Sequence, residues 1–166
     1  MKPEPKDIQI RVATAADADV FSDQRIELFE SLGQLAQAAD LVQLRRDTRS
    51  AFLEALELDA CVVWLAESCS KAVVGSAALV FLHRFPSLQN PMRHEGYLAH
   101  MFVHPVSRRR GIGSALLRVA LDETRRRGLV RLRLHASEEG RRLYDEFGFQ
   151  LRTNDMEIYV DRGVSQ

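Results

Sequence analysis

Apolar and polar residues alternate at the start of the chain, with Ile8, Ile10 and Val12 on one side, the period of two of a half-buried strand. Thr14 and Asp17 then supply helix-start chemistry for a segment from about Ala15 to Leu32. Its apolar residues include Val20, Phe21, Ile26, Leu28 and Phe29, and Gly33 ends it. Leu41, Leu44, Phe52, Leu53 and Leu56 predict a second helix from Asp40 to Leu58. Two apolar runs, Cys61 to Ala66 and Val73 to Leu82, flank the polar turn Glu67 to Lys71 and read as a hairpin. Phe85 to Glu95, punctuated by Pro86, Asn90 and Pro91, reads as a loop. A strand follows from Tyr97 to Val103 and stops at Pro105, which has no amide to give to a ladder.

From Ile112 the apolar positions Ile112, Leu116, Val119 and Ala120 recur at helical spacing, with Arg118, Asp122, Glu123 and Arg126 mostly opposite. Gly128 terminates this helix. Val130 to His135 is a predicted strand with Leu132 and Leu134 facing one way, and Ser137 can cap a short helix reaching Phe147. Phe149 to Leu151 and Met156 to Val160 are the last predicted strands. The order is β-α-α-β-β-β-α-β-α-β-β, which predicts an α/β fold with a central mixed sheet and helices on both faces.

At 166 residues the chain suits one domain, with a core from about residue 8 to 161. Lys and Arg total 23 and so do Asp and Glu, so global charge favours neither nucleic acid nor an anionic membrane. The arginines are nonetheless uneven: 11 fall between Arg108 and Arg142, against Asp122, Glu123, Glu138 and Glu139. Such a local field suits a polyphosphate ligand, although arginine also populates ordinary solvated helix faces. Cys61 lies in an apolar run and reads as a buried small hydrophobe, and no residues stand at metal-ligand spacing. With no apolar leader region and no run long enough to span a bilayer, a soluble, reduced, cytoplasmic protein is expected.

Gly111 and Gly113 fall where a strand turns into a helix. The first turn of a helix has amides without intrahelical acceptors and a partial positive charge, and anions bind there. Glycines let a phosphate approach the backbone, and Arg108, Arg109 and Arg110 add full charge beside it. Residues Arg108 to Ser114 therefore read as a diphosphate cradle; a plain strand-helix turn with its arginines in solvent is the competing reading. A Walker loop would need Gly-Lys-Ser/Thr, and a dinucleotide fingerprint would need glycine where Leu116 stands.

The spacing Arg108-x-x-Gly111-x-Gly113, entered from FVHP and leaving into SALL, resembles the acetyl-CoA signature of the GCN5-related N-acetyltransferases. The segment GRRLYDEFGF, Gly140 to Phe149, resembles the tyrosine-bearing helix of the same family. The resemblance implies acetyl-CoA as co-substrate, held by Arg108, Arg109, Arg110, Gly111, Ile112, Gly113 and Ser114. It also implies that the backbone of Met101, Phe102 and Val103 splays from a neighbouring strand and serves the pantetheine arm. Ser137 stands where the family often has asparagine, and its hydroxyl can still bond to the coenzyme or to the backbone. A homodimer is compatible with the family.

Acetyl transfer to an amine needs a neutral nucleophile, donors for the developing oxyanion and a proton for the leaving thiolate. Tyr144 is the candidate donor to the thiolate, as a phenol on the helix that the resemblance places beside the thioester. A tyrosine simply packed on its helix is the alternative. Glu95, at the mouth of the Tyr97 strand, and His100, within it, are the candidate bases, and proton transfer through water is a third route. The acceptor, a small-molecule or peptide amine, is expected near Arg25, Glu27, Glu30, Arg84 and Glu157, where Arg84 or Arg93 offers a grip on a carboxylate. Two non-enzymatic readings compete: an acyl-CoA-binding sensor or interaction module on the same fold, and a nucleic-acid-binding domain built on the arginine-rich helices.

Overall fold

The computed structural model describes residues 7–34, 41–152 and 156–158. Strands β1 (Ile8–Val12), β2 (Cys61–Ser68), β3 (Val73–His83), β4 (His94–Val103) and β5 (Leu132–Leu134) lie in that order across one sheet. Neighbours from β1 to β4 are antiparallel, and β5 joins β4 in parallel. The helices are α1 (Ala18–Ser31), α2 (Leu41–Glu57), α3 (Ile112–Arg126) and α4 (Glu138–Glu146).

Burial on both faces explains why β2 and β3 read as nearly continuous apolar runs while edge strand β1 alternates. Along β2, Val63 and Leu65 pack with Phe21 of α1 and Phe52 of α2, whereas Trp64 and Ala66 pack with Ile112, Leu116 and Leu117 of α3. Leu65, Leu116 and Leu117 have no exposed surface, and burying each side chain stabilises the fold by about 1.5–3 kcal/mol. Gly75 of β3 gives α3 its close seat: a Cβ there would meet the Phe102 carbonyl oxygen at 2.8 Å and Ile112 and Leu116 at 3.5 Å.

Two irregularities of β4 organise the functional end of the sheet. Ala78 pairs with His100 but Leu79 pairs with Leu98, so Ala99 is an unpaired bulge residue. The bulge resets the side-chain alternation. Leu98 joins the α3-side cluster, while His100 turns to the other face, edge-on to Phe21 at 5.1 Å. The second irregularity is that β5 pairs with β4 only at Gly96, Tyr97 and Leu98. Beyond Leu98 the strands part, and among the described residues β4 runs on to Val103 without a partner on that side.

The expected order holds through α4, with β4 beginning at His94, earlier than its apolar run. Glu67 belongs to β2, not to the turn; its buried carboxylate accepts from Arg11 Nε at 2.5 Å. The strand expected at Phe149 to Leu151 is not formed. The Phe149 amide instead donates to the Tyr144 carbonyl at 3.1 Å, closing the end of α4 over Gly148 at φ 85°, so this donor is unavailable to a ladder. Residues 156–158 carry no strand, and the rest of the strand expected to reach Val160 lies outside the described residues.

Candidate active site

The parting of β4 from β5 opens a cleft of about 440 Å³ between β4, the start of α3, α4 and the end of α1. Gly111 is the N-cap of α3 and sits at φ 83°, in the left-handed region glycine enters without strain. No side chain caps this helix and its first turn contains no acidic residue, so its amides and partial positive charge face the cleft. Gly113 lets α4 close on α3, since a Cβ there would lie 3.3 Å from Leu143.

Nearly all the residues assigned to a coenzyme from sequence meet here. Met101, Phe102 and Val103 form one wall, Arg108, Arg109, Gly111, Ile112, Gly113 and Ser114 curve around the helix start, and Ser137 and Tyr144 stand opposite. Arg108 bridges the opening: its Nε donates to the Val103 carbonyl at 3.1 Å and its Nη1 to Glu139 at 3.0 Å. Arg110 is the exception among them, outside the lining and paired instead with Asp7 at 3.5 Å. The sequence reading missed the α1 wall of Leu28, Ser31 and Leu32; their spacing of three and four marked a helix face without saying what it faced.

Ser137 caps α4, its hydroxyl accepting from the Gly140 amide at 3.1 Å. Removing it in Ser137→Ala is expected to cost about 1 kcal/mol and lower the melting temperature by roughly 2–4 °C. Calorimetry checks this, and an unchanged midpoint would refute the capping role. Tyr144 is 8% exposed, with its ring 5.7 Å from that of Phe149. Burial pushes its phenol up to about 12, so it keeps its proton at neutral pH.

The two proposed bases are not brought to the cleft lining. Glu95 is wholly buried beneath Arg84, at 2.6 Å, Arg133, at 3.5 Å, and Arg131, at 3.7 Å. His100 is 2% exposed, with Nε2 2.8 Å from the Ser76 hydroxyl and Nδ1 unpartnered. Burial, aided by the Arg25 charge, pushes this imidazole down to about 3. It is therefore neutral and a weak base.

That shift has a consequence for stability. An unfolded histidine takes up a proton below about pH 6.5 and the folded one does not until about 3. The unfolded state thus binds more protons in this window, and stability falls as pH drops through it, by at most about 1.4 kcal/mol per pH unit from this group. Urea unfolding between pH 7 and 4 measures the slope, and His100→Phe is expected to flatten it. An equal slope in the variant would remove His100 as its source.

This architecture defines an α/β protein whose sheet opens at a parallel strand pair in front of an uncapped helix start. The same chain matches the Acetyltransferase (GNAT) family over residues 25–149, and it belongs to that family. No curated protein sequence matches it. Among solved structures, a predicted acetyltransferase from Clostridium acetobutylicum, crystallised with acetyl-CoA, superposes with TM-score 0.84 at 25% identity, over 92% of this chain and 96% of that one. A GCN5-related N-acetyltransferase from Ralstonia eutropha JMP134 gives TM-score 0.83 at 27% identity, over 92% and 98%. The aminoglycoside N-acetyltransferase AAC(6')-Iy in complex with CoA shares the fold, with TM-score 0.71 at 18% identity over 98% and 99%.

No helix among the described residues is long and apolar enough to cross a membrane. Among those residues no group of three or more His, Cys, Asp or Glu is placed to hold a metal ion.

Proposed function

We propose that the protein transfers the acetyl group of acetyl-CoA to a primary amine of a small molecule or peptide, by direct attack within a ternary complex in the cytoplasm. One observation carries the reading: the uncapped N-terminus of α3 opens onto the same cleft as the side of β4 left unpaired among the described residues and the buried Tyr144 phenol. These residues suit acetyl-CoA. The amides from Gly111 to Ser114, with Arg109 beside them, would take the diphosphate. The edge of β4 at Met101 to Val103 would hydrogen-bond the amide-bearing pantetheine arm as an added strand would.

In the transfer, the amine nitrogen bonds to the thioester carbonyl carbon, and the carbon-sulfur bond breaks as the tetrahedral intermediate collapses. Tyr144 would donate a hydrogen bond to the leaving sulfur. A phenol near 12 is a weaker acid than a thiol near 8.5, so it stabilises the thiolate without surrendering its proton completely. With Glu95 and His100 both sealed beneath side chains, water is the route by which the ammonium loses its proton.

Titration calorimetry with acetyl-CoA, CoA and ATP, followed by thiol release in the presence of a panel of amines, tests the proposal. Binding of acetyl-CoA and CoA in preference to ATP, with amine-dependent thiol release, is expected. Absence of acetyl-CoA binding overturns it, and binding without release from any amine favours a sensor.

A further inference from the structure

The inference names the group that takes up the ammonium proton, and it rests on the acetyl-transfer reading above. Leu98 of β4 and Leu132 and Leu134 of β5 pack into the α3-side cluster. Alternation along the strands therefore sends Tyr97 and His135 to the opposite face, the one on which Phe21 of α1 meets His100. Their side chains meet there. The Tyr97 hydroxyl lies 2.6 Å from His135 Nδ1, with the ring centroids 5.8 Å apart.

The register fixes where this pair stands. Tyr97 is opposite Arg133, and the last rung joins Leu98 to Leu134. His135 is the next residue, at the point where the strands part. In a parallel pair both chains run the same way, so the Tyr97 side chain leans about 6–7 Å along the strand direction, toward the opening, to reach a residue two positions past its own partner. Two residues beyond His135, Ser137 already lines the cleft. The hydrogen bond thus spans the notch between β4 and β5 at its closed end.

Arg25 of α1 borders the pair. Its Nη1 donates to the carbonyl of the bulge residue Ala99 at 2.8 Å; burial lowers its pKa, and the nearby Tyr97 oxygen acts in the opposite sense. One turn further along α1, Leu28 lines the cleft. The helix start of α3 and Tyr144 of α4 pack on the other side of the sheet. A coenzyme held by α3 and α4 would enter the notch from that side, which leaves the α1 side to the acceptor.

His135 suits a proton acceptor where Glu95 and His100 do not. It is exposed, so water reaches it. When Nδ1 carries the ring proton and donates to Tyr97 Oη, the lone pair of Nε2 is open, and Nε2 makes no hydrogen bond among the described residues. Imidazole changes charge between about pH 5 and 8, the range in which general-base catalysis at neutral pH is most effective. The charged groups around the pair among the described residues are Arg25 from α1, Glu95 on β4, and Arg131 and Arg133 beside it on the β5 side; Arg84 at the end of β3 also meets Glu95.

We propose that His135 is the general base of the transfer, receiving the acceptor's ammonium proton through water, and that Tyr97 is a positioning residue that holds the ring at the notch. An N–H bond of the ammonium breaks, its electron pair stays on nitrogen, and the proton passes through water to Nε2. The neutral amine then attacks the thioester carbon. The imidazolium returns a proton from Nε2 to solvent and keeps Nδ1–H on Tyr97 Oη, so each turnover restores the starting tautomer.

The test is thiol release from acetyl-CoA at saturating amine from about pH 5 to 9, using whichever of spermidine, L-lysine, phenylethylamine and kanamycin is turned over fastest. Acetyl-CoA affinity is measured on the same samples. Wild-type kcat is expected to fall on the acid side as the base becomes protonated. His135→Gln is expected to lower kcat about 100-fold, abolish that acid-side fall and leave acetyl-CoA affinity within about twofold. Tyr97→Phe keeps the ring and loses the hydroxyl; it is expected to lower kcat about 10-fold with the acid-side fall retained. Wild-type kcat in His135→Gln overturns the assignment. A lower kcat with the acid-side fall intact also overturns it, because it gives His135 a purely structural part. Acetyl-CoA binding without thiol release for any amine tested overturns the transfer reading itself, and failure to bind acetyl-CoA removes the coenzyme site; the base falls with either, and each is told apart from a failure of His135 alone.

Discussion

Gly111→Asp is expected to weaken acetyl-CoA binding by about two orders of magnitude, equivalent to about 3 kcal/mol, while the protein still folds. Two effects act together. Aspartate is among the few residues that tolerate the left-handed region, so the backbone at φ 83° costs it only about 1–2 kcal/mol. Its carboxylate, however, stands at an uncapped helix start with no acid of its own in the first turn. It satisfies the amides that would otherwise receive the diphosphate and repels the incoming phosphates. Titration calorimetry gives the affinity, and circular dichroism melting confirms folding. Wild-type affinity in a folded variant would refute the assignment of Arg108 to Ser114 as the cradle. Gly111→Ala separates the two effects, since it carries the backbone strain without the charge and is expected to lose less affinity.

Tyr144→Phe is expected to lower kcat by about 100-fold and leave acetyl-CoA affinity within about twofold. The buried ring is retained, so its packing against Phe149 survives and only the hydroxyl is lost. Because burial holds the phenol near 12, wild-type kcat should show no loss from this group as pH rises from 7 to 9. Loss begins only as the phenol ionises, at the upper end of the accessible range. A kcat equal to wild type in Tyr144→Phe would remove Tyr144 from the mechanism. A parallel fall in coenzyme affinity would give it a binding role instead.

The helix-start half of the candidate site was legible because it is written locally. A turn with Gly111 and Gly113 between an apolar strand and an amphipathic helix needs no distant partner to declare a helix start, and Ser137 followed by a helical pattern declares a cap in the same way. Tyr144 was legible through its neighbours LYDEFGF. Glu95 and His100 misled because a titratable residue in an apolar strand looks the same in sequence whether it faces a cleft or is sealed. Burial beneath three arginines in one case, and against Phe21 and Ser76 in the other, comes from elements far away in the chain.

By itself the sequence determined the kind and order of the elements through α4, the breaks between them and the glycine-marked start of α3. These follow from residue periodicity and from the backbone chemistry of glycine, proline and serine, which act over a few residues. Tertiary structure decided the bulge at Ala99, the three-rung limit of the β4–β5 pairing and the face on which each β4 side chain emerges. A single unpaired residue reverses the alternation of all that precede it, and no local pattern records where a distant strand places that residue. The gathering of Arg84, Arg131 and Arg133 around Glu95 arose in the same way, from pairing and packing between segments far apart in the sequence.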